Sequence, residues 1–268
     1  DSLCYLDGRI AVPVNVRALP NLAIQSSGPL TFCAGGSVSL NGGAGSDLSY
    51  QWKKYGNLIA GASDSVYVAS TSGIYKITAT NNYGCSKSSP AVTVVVNPLP
   101  VASVSATGNT SFCVGSGVTL QANVVPGYTY QWKKYSNDVV GAVNNTYFAT
   151  TAGAFKVRIT DANGCSRNSN SIFTTLLPSP PAAISAGGPL SFCNGDSVVL
   201  SANAGSGLSY QWRKGSSFIA GATTPVYTAK TAGNYKVTVT GTNGCTKNSD
   251  PLTVVVNCRL DDSGAKDP

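Results

Sequence analysis

Short runs of alternating apolar and polar residues recur along the chain and predict β-strands. Val38 and Leu40 alternate with serines, and Tyr50 and Trp52 alternate with polar residues in the text SYQWKK. Successive side chains of a strand point to opposite faces, so each run has one face suited to a core. Glycine-containing turns separate the runs about every 8–12 residues. The pattern predicts an all-β chain.

The whole pattern repeats. Three sets of landmarks keep a step of 80 residues: Cys33, Cys113 and Cys193; Cys85, Cys165 and Cys245; Trp52, Trp132 and Trp212. A fixed period indicates a tandem array. We divide the chain into an orphan last strand of a preceding unit (1–18), repeats 1 to 3 (19–98, 99–178 and 179–258) and a polar tail (259–268).

About seven short strands in 80 residues, with one tryptophan on the third strand, are typical of an immunoglobulin-like (Ig-like) two-sheet β-sandwich. We therefore predict a tandem array of three Ig-like domains. The expected core residues are the three tryptophans and the aromatic residue of each GIYK-like strand. They are Trp52, Trp132, Trp212, Tyr75, Phe155 and Tyr235.

Composition argues against an enzyme. The chain has no His and no Met, and all 11 acidic residues are Asp. Without His, the Ser-His-Asp and Cys-His arrangements and imidazole zinc sites cannot form. The only adjacent acidic pair, Asp261 and Asp262, lies in the polar tail. We expect no catalytic residues and no cofactor.

The remaining charge pattern predicts no metal, nucleic-acid or membrane partner. The two Asp residues of each repeat are not clustered, whereas calcium needs several oxygen ligands together. The net charge is +7, but the basic residues are scattered in a chain with only 11% charged residues, so a solvated surface is the simpler interpretation. The chain has no run of about 18 apolar residues, so we predict no membrane-spanning helix.

The repeats resemble the Ig-like repeats of secreted Bacteroidota surface proteins, which are exported by the type IX pathway and serve in gliding and adhesion. The matching text is FC-x-G-x-SV-x-L, YQWKK, the IAGA(S/T) loop, G-x-Y-K and (Y/N)GC-(S/T). It covers all three repeats. The resemblance implies an extracellular stalk or adhesive array on the cell surface, usually part of a longer polypeptide. It implies other copies or further Ig-like units as partners, with surface glycans as an additional candidate, and it identifies no ligand.

The cysteines do not stand where antibody domains have them. The two positions that carry the inter-sheet disulfide there are held by small and branched apolar residues here. The pairs are Gly42 with Ile77, Ala122 with Val157, and Ala202 with Val237. The periodic cysteines lie in the turns instead.

Eight cysteines in small repeats indicate disulfides and an oxidising compartment. The simplest pairing is within repeats: Cys33–Cys85, Cys113–Cys165 and Cys193–Cys245. One objection is physical, because the two turns of a standard sandwich lie at opposite ends, about 20 Å apart, whereas a disulfide needs Cα atoms within about 7 Å. The alternatives are a rerouted first strand, a staggered pairing (Cys33–Cys165 and Cys113–Cys245), or free thiols.

Two cysteines stand outside the period. Cys258 replaces the proline that ends the other repeats, and Cys4 lies in a segment that aligns with the last strand of a repeat. Three explanations are open for residues 1–18: a fragment of a longer array, a strand donated to another subunit in a head-to-tail filament, or a strand paired inside this chain through a Cys4–Cys258 bond.

Two further kinds of candidate site lie on the predicted surface. Tyr55 and Tyr135 are candidate sugar-stacking residues, but repeat 3 has Gly215 there, which favours an incidental role. Ser65 and Ser197 lie in Asp-Ser-apolar patterns, the short pattern of Bacteroidota O-glycosylation, and Ser65 is the more accessible of the two by strand position.

Proline-rich joints between the repeats should stiffen the array into a rod. The function that we expect is that of an extracellular structural or adhesive rod, part of a cell-surface adhesin or stalk. Two alternatives remain: a subunit of a head-to-tail extracellular filament, and a carbohydrate-binding appendage of a secreted hydrolase.

Overall fold

The computed structural model describes residues 19–257 and, of the tail, the backbone of residues 259–260 and 266–267. The described chain is built from strands alone. Repeat 1 contains β1 (Gln25–Ser26), β2 (Thr31–Cys33), β3 (Val38–Asn41), β4 (Leu48–Lys54), β5 (Asn57–Leu58), β6 (Val66–Ala69), β7 (Gly73–Asn81), β8 (Ser86–Ser88) and β9 (Val92–Asn97). Repeat 2 contains β10 (Val104–Ala106), β11 (Ser111–Cys113), β12 (Val118–Ala122), β13 (Thr129–Lys134), β14 (Asn137–Asp138), β15 (Thr146–Ala149), β16 (Gly153–Thr160), β17 (Ser166–Asn168) and β18 (Ile172–Leu177).

Repeat 3 contains β19 (Ile184–Ala186), β20 (Ser191–Phe192), β21 (Val198–Ala202), β22 (Ser209–Lys214), β23 (Ser217–Phe218), β24 (Val226–Ala229), β25 (Gly233–Thr240), β26 (Thr246–Asn248) and β27 (Leu252–Val256). The tail adds a two-stranded pair, β28 (Arg259–Leu260) with β29 (Lys266–Asp267). The fold class is therefore the predicted one: an all-β array of three Ig-like sandwiches.

Each repeat pairs its strands in the same two sheets. In repeat 1 a three-stranded sheet has the order β1-β3-β6, and a larger sheet has the order β2-β9-β7-β4-β5, with β8 also paired to β7. Repeats 2 and 3 have the same orders with their own strands. The predicted seven strands become nine pieces, because the first and the last strand of each repeat are each interrupted.

The interruption of the first strand moves its cysteine to the exit of the repeat. β1 pairs antiparallel with β3 in one sheet, whereas β2 crosses to the other sheet and pairs parallel with the last strand, β9. Cys33 stands opposite Asn97, where that strand ends. The chain leaves the repeat at the same end, so the first-strand cysteine lies at the end of the sandwich from which the chain continues into the next repeat.

The interruption of the last strand is a β-bulge held by a serine. The register of β7 shifts by one residue between its pairing with β8 and its pairing with β9. At the shift the Ser89 backbone N–H donates to the Ile77 carbonyl, and the Ile77 N–H donates to the Ser89 hydroxyl at 3.1 Å. The side chain thus replaces a backbone acceptor in the ladder. Ser169 and Ser249 accept the equivalent bonds in repeats 2 and 3.

Each repeat has its own hydrophobic core around a tryptophan. Trp52, Trp132 and Trp212 have no exposed surface. In repeat 1 the indole N–H donates to the Asp64 carbonyl at 2.9 Å, so the buried polar atom is satisfied. The ring lies 5.7 Å from Tyr67, which lies 5.7 Å from Tyr75, and repeats 2 and 3 carry the same three-ring series. The other aromatic residues expected in the core, Tyr75, Phe155 and Tyr235, are at most 1% exposed.

The positions of the antibody disulfide are filled by apolar side chains of complementary size. A Cβ added to Gly42 would lie 2.6 Å from the Ile77 δ-carbon. The extra methyl group of isoleucine therefore occupies the space that the alanine methyl fills in the other repeats, where Ala122 and Ala202 accompany valine. The swap keeps the core volume nearly constant, which packed interiors tolerate best.

The described chain forms two compact units. One unit combines the described chain up to Pro100 with Thr160–Arg167, which contains the turn between β16 and β17 of repeat 2. The other combines Val101–Ile159 with the described residues from Asn168 onward. A turn of repeat 2 therefore belongs to the same unit as the body of repeat 1.

Candidate functional site

The periodic cysteines join consecutive repeats. Cys33 is bonded to Cys165, and Cys113 is bonded to Cys245, each with a Cα–Cα distance of 5.5 Å. The preferred prediction of pairing within repeats is therefore wrong for Cys33–Cys85, for Cys113–Cys165 and for Cys193–Cys245. The staggered arrangement that the sequence left open is the observed one.

The physical reason lies in the strand topology. The first-strand cysteine sits at the exit end of its sandwich, because β2 runs parallel to β9. The second cysteine follows β7, which runs antiparallel to β9, so its turn lies at the entry end. A bond within one repeat would have to span the length of the sandwich, which the geometry of a disulfide forbids. The exit of one repeat and the entry turn of the next supply the two halves instead.

The entry turn is preorganised by an acceptor side chain. In repeat 2 a carboxylate oxygen of Asp161 accepts hydrogen bonds from the N–H groups of Asn163 and Cys165, both at 2.9 Å. The Asp161 N–H donates to the Cys165 carbonyl, which closes the turn. A side chain that bonds its own backbone two residues on is a common turn former, so the cysteine is presented by local sequence.

The joint that holds the second cystine also contains polar contacts. The Asn243 side-chain amide donates to the Pro178 carbonyl at 2.8 Å, and the Cys245 N–H donates to the Asn243 side-chain oxygen at 3.0 Å. A small open cleft of about 190 Å³ lies beside them, lined by Pro178 to Pro181, Leu208 and Gly241 to Asn243 among others. Cys165 and Cys245 have no exposed surface.

Repeat 1 carries the same turn without a disulfide. The Asn81 side-chain oxygen accepts from the N–H groups of Tyr83 and Cys85, at 3.0 and 2.9 Å. Cys85 is a free, half-buried thiol, so the expectation that it forms a disulfide is wrong. Its usual partner, a cysteine at the exit of a preceding repeat, has no equivalent among the described residues before it.

Three cysteines complete the set. Cys193, at the exit end of repeat 3, is disulfide-bonded and is 6% exposed. It borders an open cleft of about 330 Å³ that is also lined by Gly187, Pro189, Phe192 and Asp196. Cys4 and Cys258, the candidates for terminal or intermolecular bonds, lie outside the described residues, as does the strand expected over residues 1–18.

The candidate sugar-stacking tyrosines lie at the tips of hairpins. Tyr55 is 60% exposed and Tyr135 is 59% exposed, and both have positive φ angles, 50° and 56°. Gly215 has a φ of 59° at the same place in repeat 3. A left-handed conformation at the first position of a two-residue hairpin suits glycine and strains tyrosine. The third repeat thus has the residue that the backbone prefers.

The two candidate glycosylation serines differ in accessibility, in the opposite sense to the sequence expectation. Ser197 is exposed directly before β21, whereas Ser65 is half-buried directly before β6. The Ser65 carbonyl also accepts a hydrogen bond from the Gly42 N–H. The modification of either serine stays a prediction.

Ion pairs and possible metal ligands are few among the described residues. Among the described residues no three His, Cys, Asp or Glu side chains come together as a metal site would need. Asp138 forms ion pairs with Lys133 and, at 3.6 Å, with Arg158. The hydrogen bond from Lys133 holds the pKa of the Asp138 carboxyl below its ordinary value. The part of the chain with described side chains includes no helix long and apolar enough to cross a membrane.

Sequence reasoning missed a compensating pair in the cores. In repeats 1 and 3 the tyrosine hydroxyl donates to a threonine carbonyl four residues back, as Tyr75 does to Thr71 at 2.9 Å. Phe155 lacks that hydroxyl, and the Thr174 hydroxyl donates to the Thr151 carbonyl at 2.8 Å instead. Comparison of the repeats could have revealed this pair, because Val94 and Val254 stand at the position of Thr174 in the two repeats that have the tyrosine.

Comparison with known proteins adds the following findings. Residues 182–256 match the PKD domain family model. No curated protein gives a significant sequence match. Solved structures with similar folds include the I-band fragment I67–I69 from titin, at 11% identity, covering 90% of this chain and 100% of that one with a TM-score of 0.39. They also include the ICAM-5 D1–D4 ectodomain fragment, at 14% identity, covering 88% and 76% with a TM-score of 0.41.

Another similar structure comprises three N-terminal domains of the bacteriophage RB49 highly immunogenic outer capsid protein, at 18% identity, covering 88% of this chain and 99% of that one with a TM-score of 0.30. The family match lies within repeat 3, whose strands recur in the other two repeats. PKD and Ig-like domains that contain disulfides are typical of extracellular proteins.

Proposed function

We propose that this chain is a section of an extracellular stalk or adhesin that carries mechanical tension, in which the cystines keep consecutive Ig-like repeats attached. The observation that carries the proposal is the pairing of each first-strand cysteine with the following repeat. A disulfide within a repeat would protect that repeat alone. A disulfide between repeats also protects the linker.

The two cystines overlap along the sequence, and this overlap limits how far the chain can extend. Tension crosses from Cys33 to Cys165 and can then reach Cys245 by two routes. One route follows about 80 residues of chain, and the other runs back over about 52 residues to Cys113 and crosses the second cystine. The shorter route becomes taut first, so only roughly 180 Å of chain is released between the outer cysteines.

Chemistry elsewhere in the chain supports a structural role. The exposed surface offers few charges, and the three cores contain satisfied polar atoms rather than reactive groups. An extracellular site accounts for the cystines, which cytosolic conditions would reduce. We include the type IX surface proteins of Bacteroidota in the proposal as the kind of parent whose repeats this sequence resembles.

Single-molecule force spectroscopy tests whether the cystines limit extension under tension. We expect the oxidised chain to release roughly 180 Å between the outer cysteines, and the reduced chain to release roughly 740 Å over about 212 residues. The matched control is Cys113→Ser with Cys245→Ser, which leaves only the Cys33–Cys165 cystine between the outer positions and should lengthen the released chain by only about 28 residues. Equal extension of oxidised and reduced chains would refute the role.

The compartment is tested separately. Protein recovered from its own cells in the presence of a membrane-permeant alkylating agent should retain its cystines, and Cys33 and Cys165 should escape alkylation. Alkylated thiols at these positions in freshly recovered protein would contradict an extracellular site.

A further inference from the structure

Repeat 1 and repeat 3 present the two halves of a joint that the chain forms twice internally. Cys85 occupies the entry turn, where Cys165 and Cys245 are bonded to the exit of the preceding repeat. Cys193 occupies the exit end, where Cys33 and Cys113 are bonded to the entry turn of the next repeat. We propose that Cys85 of one copy forms a disulfide with Cys193 of a second copy, which links chains head to tail.

The entry half is already shaped for this bond. The Asn81 side chain holds the turn by the same two hydrogen bonds that Asp161 supplies at the bonded turn of repeat 2. What differs is the burial of the sulfur-bearing residue. Cys165 has no exposed surface, whereas Cys85 is half-buried. The turn therefore does not need the disulfide to form, and its cysteine is the one that stays accessible.

The exit half offers room and charge for an incoming turn. β20 pairs parallel with β27, as β2 pairs with β9 at the bonded exit of repeat 1, and the Asn257 N–H donates to the Phe192 carbonyl. Beside Cys193 lies the open cleft of about 330 Å³, with the exposed Asp196 on its lining.

The entry turn carries the opposite charge, because Lys87 is exposed two residues after Cys85. A second copy of the chain thus supplies a cysteine in the required position and a complementary charge. A head-to-tail contact of this kind does not close on itself in a pair, so it propagates.

Disulfide exchange can make the bond without an added oxidant. The Cys85 thiolate attacks the Cys193 sulfur of the second copy, the Cys85–Cys193 bond forms, and the existing disulfide of Cys193 breaks. The sulfur that was bonded to Cys193 leaves as a thiolate and takes up a proton. One disulfide is consumed and one is formed, so electrons balance.

The inference rests on the proposed extracellular function only in needing a compartment where disulfides persist. The two can fail separately. A chain that stays monomeric but extends little under force refutes the linkage alone, and a monomer or polymer that extends fully when oxidised refutes the mechanical role.

The test uses the purified full chain, incubated at pH 8 without reductant and examined by non-reducing electrophoresis, light scattering and peptide mass spectrometry. We expect dimers and higher oligomers, with Cys85 peptides linked to Cys193 peptides. Cys85→Ser should remain monomeric with an unchanged melting temperature, because it removes a free thiol.

A matched control moves the thiol by one residue. Cys85→Ser combined with Ser86→Cys keeps an exposed thiol on the same turn but off the joint geometry, and we expect at least about tenfold less linkage to Cys193. Oligomers linked only through Cys85 to Cys85, equal linkage by the displaced thiol, or a chain that stays monomeric throughout would each overturn the proposal.

Discussion

The compensating pair in the core of repeat 2 gives the sharpest energetic prediction. Thr174 is 5% exposed, and its hydroxyl donates to the Thr151 carbonyl at 2.8 Å. Thr174→Val keeps the branched shape and removes only this donor. The same hydroxyl also lies 3.3 Å from the buried Gly153 carbonyl. Acceptors that lose their partner cost about 1–3 kcal/mol, so repeat 2 should lose that much stability.

Phe155→Tyr should restore the loss when it is combined with Thr174→Val. The double variant reproduces the arrangement of repeat 1, where Tyr75 donates to the Thr71 carbonyl at 2.9 Å beside Val94. We expect its stability to return to within about 0.5 kcal/mol of the parent chain. Phe155→Tyr alone offers a second hydroxyl to a carbonyl that is already bonded, so its effect should be small, and the pair should show a coupling energy of about 1–2 kcal/mol.

Native-state hydrogen exchange with mass spectrometry is the suitable assay, because three linked repeats do not unfold in one step. Peptides from β16 report on repeat 2, and those from β7 and β25 serve as internal references. Thr174→Val should speed the slowest exchange of β16 by roughly 5–150-fold, and the double variant should reverse it. A double variant no more protected than Thr174→Val would refute the reasoning.

Three further predictions concern single features. Ser249→Ala removes the hydroxyl that accepts the Val237 N–H at 3.1 Å, so hydrogen exchange of β25 peptides should show repeat 3 losing about 1–3 kcal/mol, with exposed Ser216→Ala as a neutral control. Tyr135→Gly relieves a positive φ and should raise the stability of repeat 2 by about 1 kcal/mol; a loss would contradict the strain. Burial raises the pKa of Tyr67 and of Tyr227, with a smaller coulombic contribution from a neighbouring tyrosine. The stability that these two groups contribute is therefore complete below their ordinary pKa of 10.0 and falls as the pH rises through their higher pKa in the folded chain. Melting curves in a Cys85→Ser background should show this decline, and it should be shallower after Tyr67→Phe.

The sequence was sufficient for the sandwich fold and the repeat because each rests on a local signal. Alternating faces around Trp52 and the 80-residue step of the cysteines need no knowledge of distant contacts. To predict which cysteines are bonded to each other, the strand topology had to be known. Spacing favoured Cys33 with Cys85, and only the crossing of β2 to the sheet of β9 places Cys33 at the exit of its repeat.

The hydrogen bonds in which a side chain takes the place of a backbone group could not be predicted from the apolar and polar pattern of one repeat. Ser89 looks like an ordinary turn residue before a proline, yet its hydroxyl completes the strand ladder at a bulge. Thr174 looks like a polar exception in an apolar strand until Phe155 is seen to lack a hydroxyl. Both roles depend on atoms brought together by tertiary structure, although comparison of the three repeats at equivalent positions does reveal them.

Peptide mapping under non-reducing conditions tests the central claim most directly. The oxidised full chain, alkylated before proteolysis and examined by mass spectrometry, should yield one linked peptide pair containing Cys33 and Cys165 and another containing Cys113 and Cys245. Peptides linking Cys33 to Cys85 and Cys113 to Cys165 would show that each repeat closes on itself, and the account of repeats joined by their cystines would be contradicted.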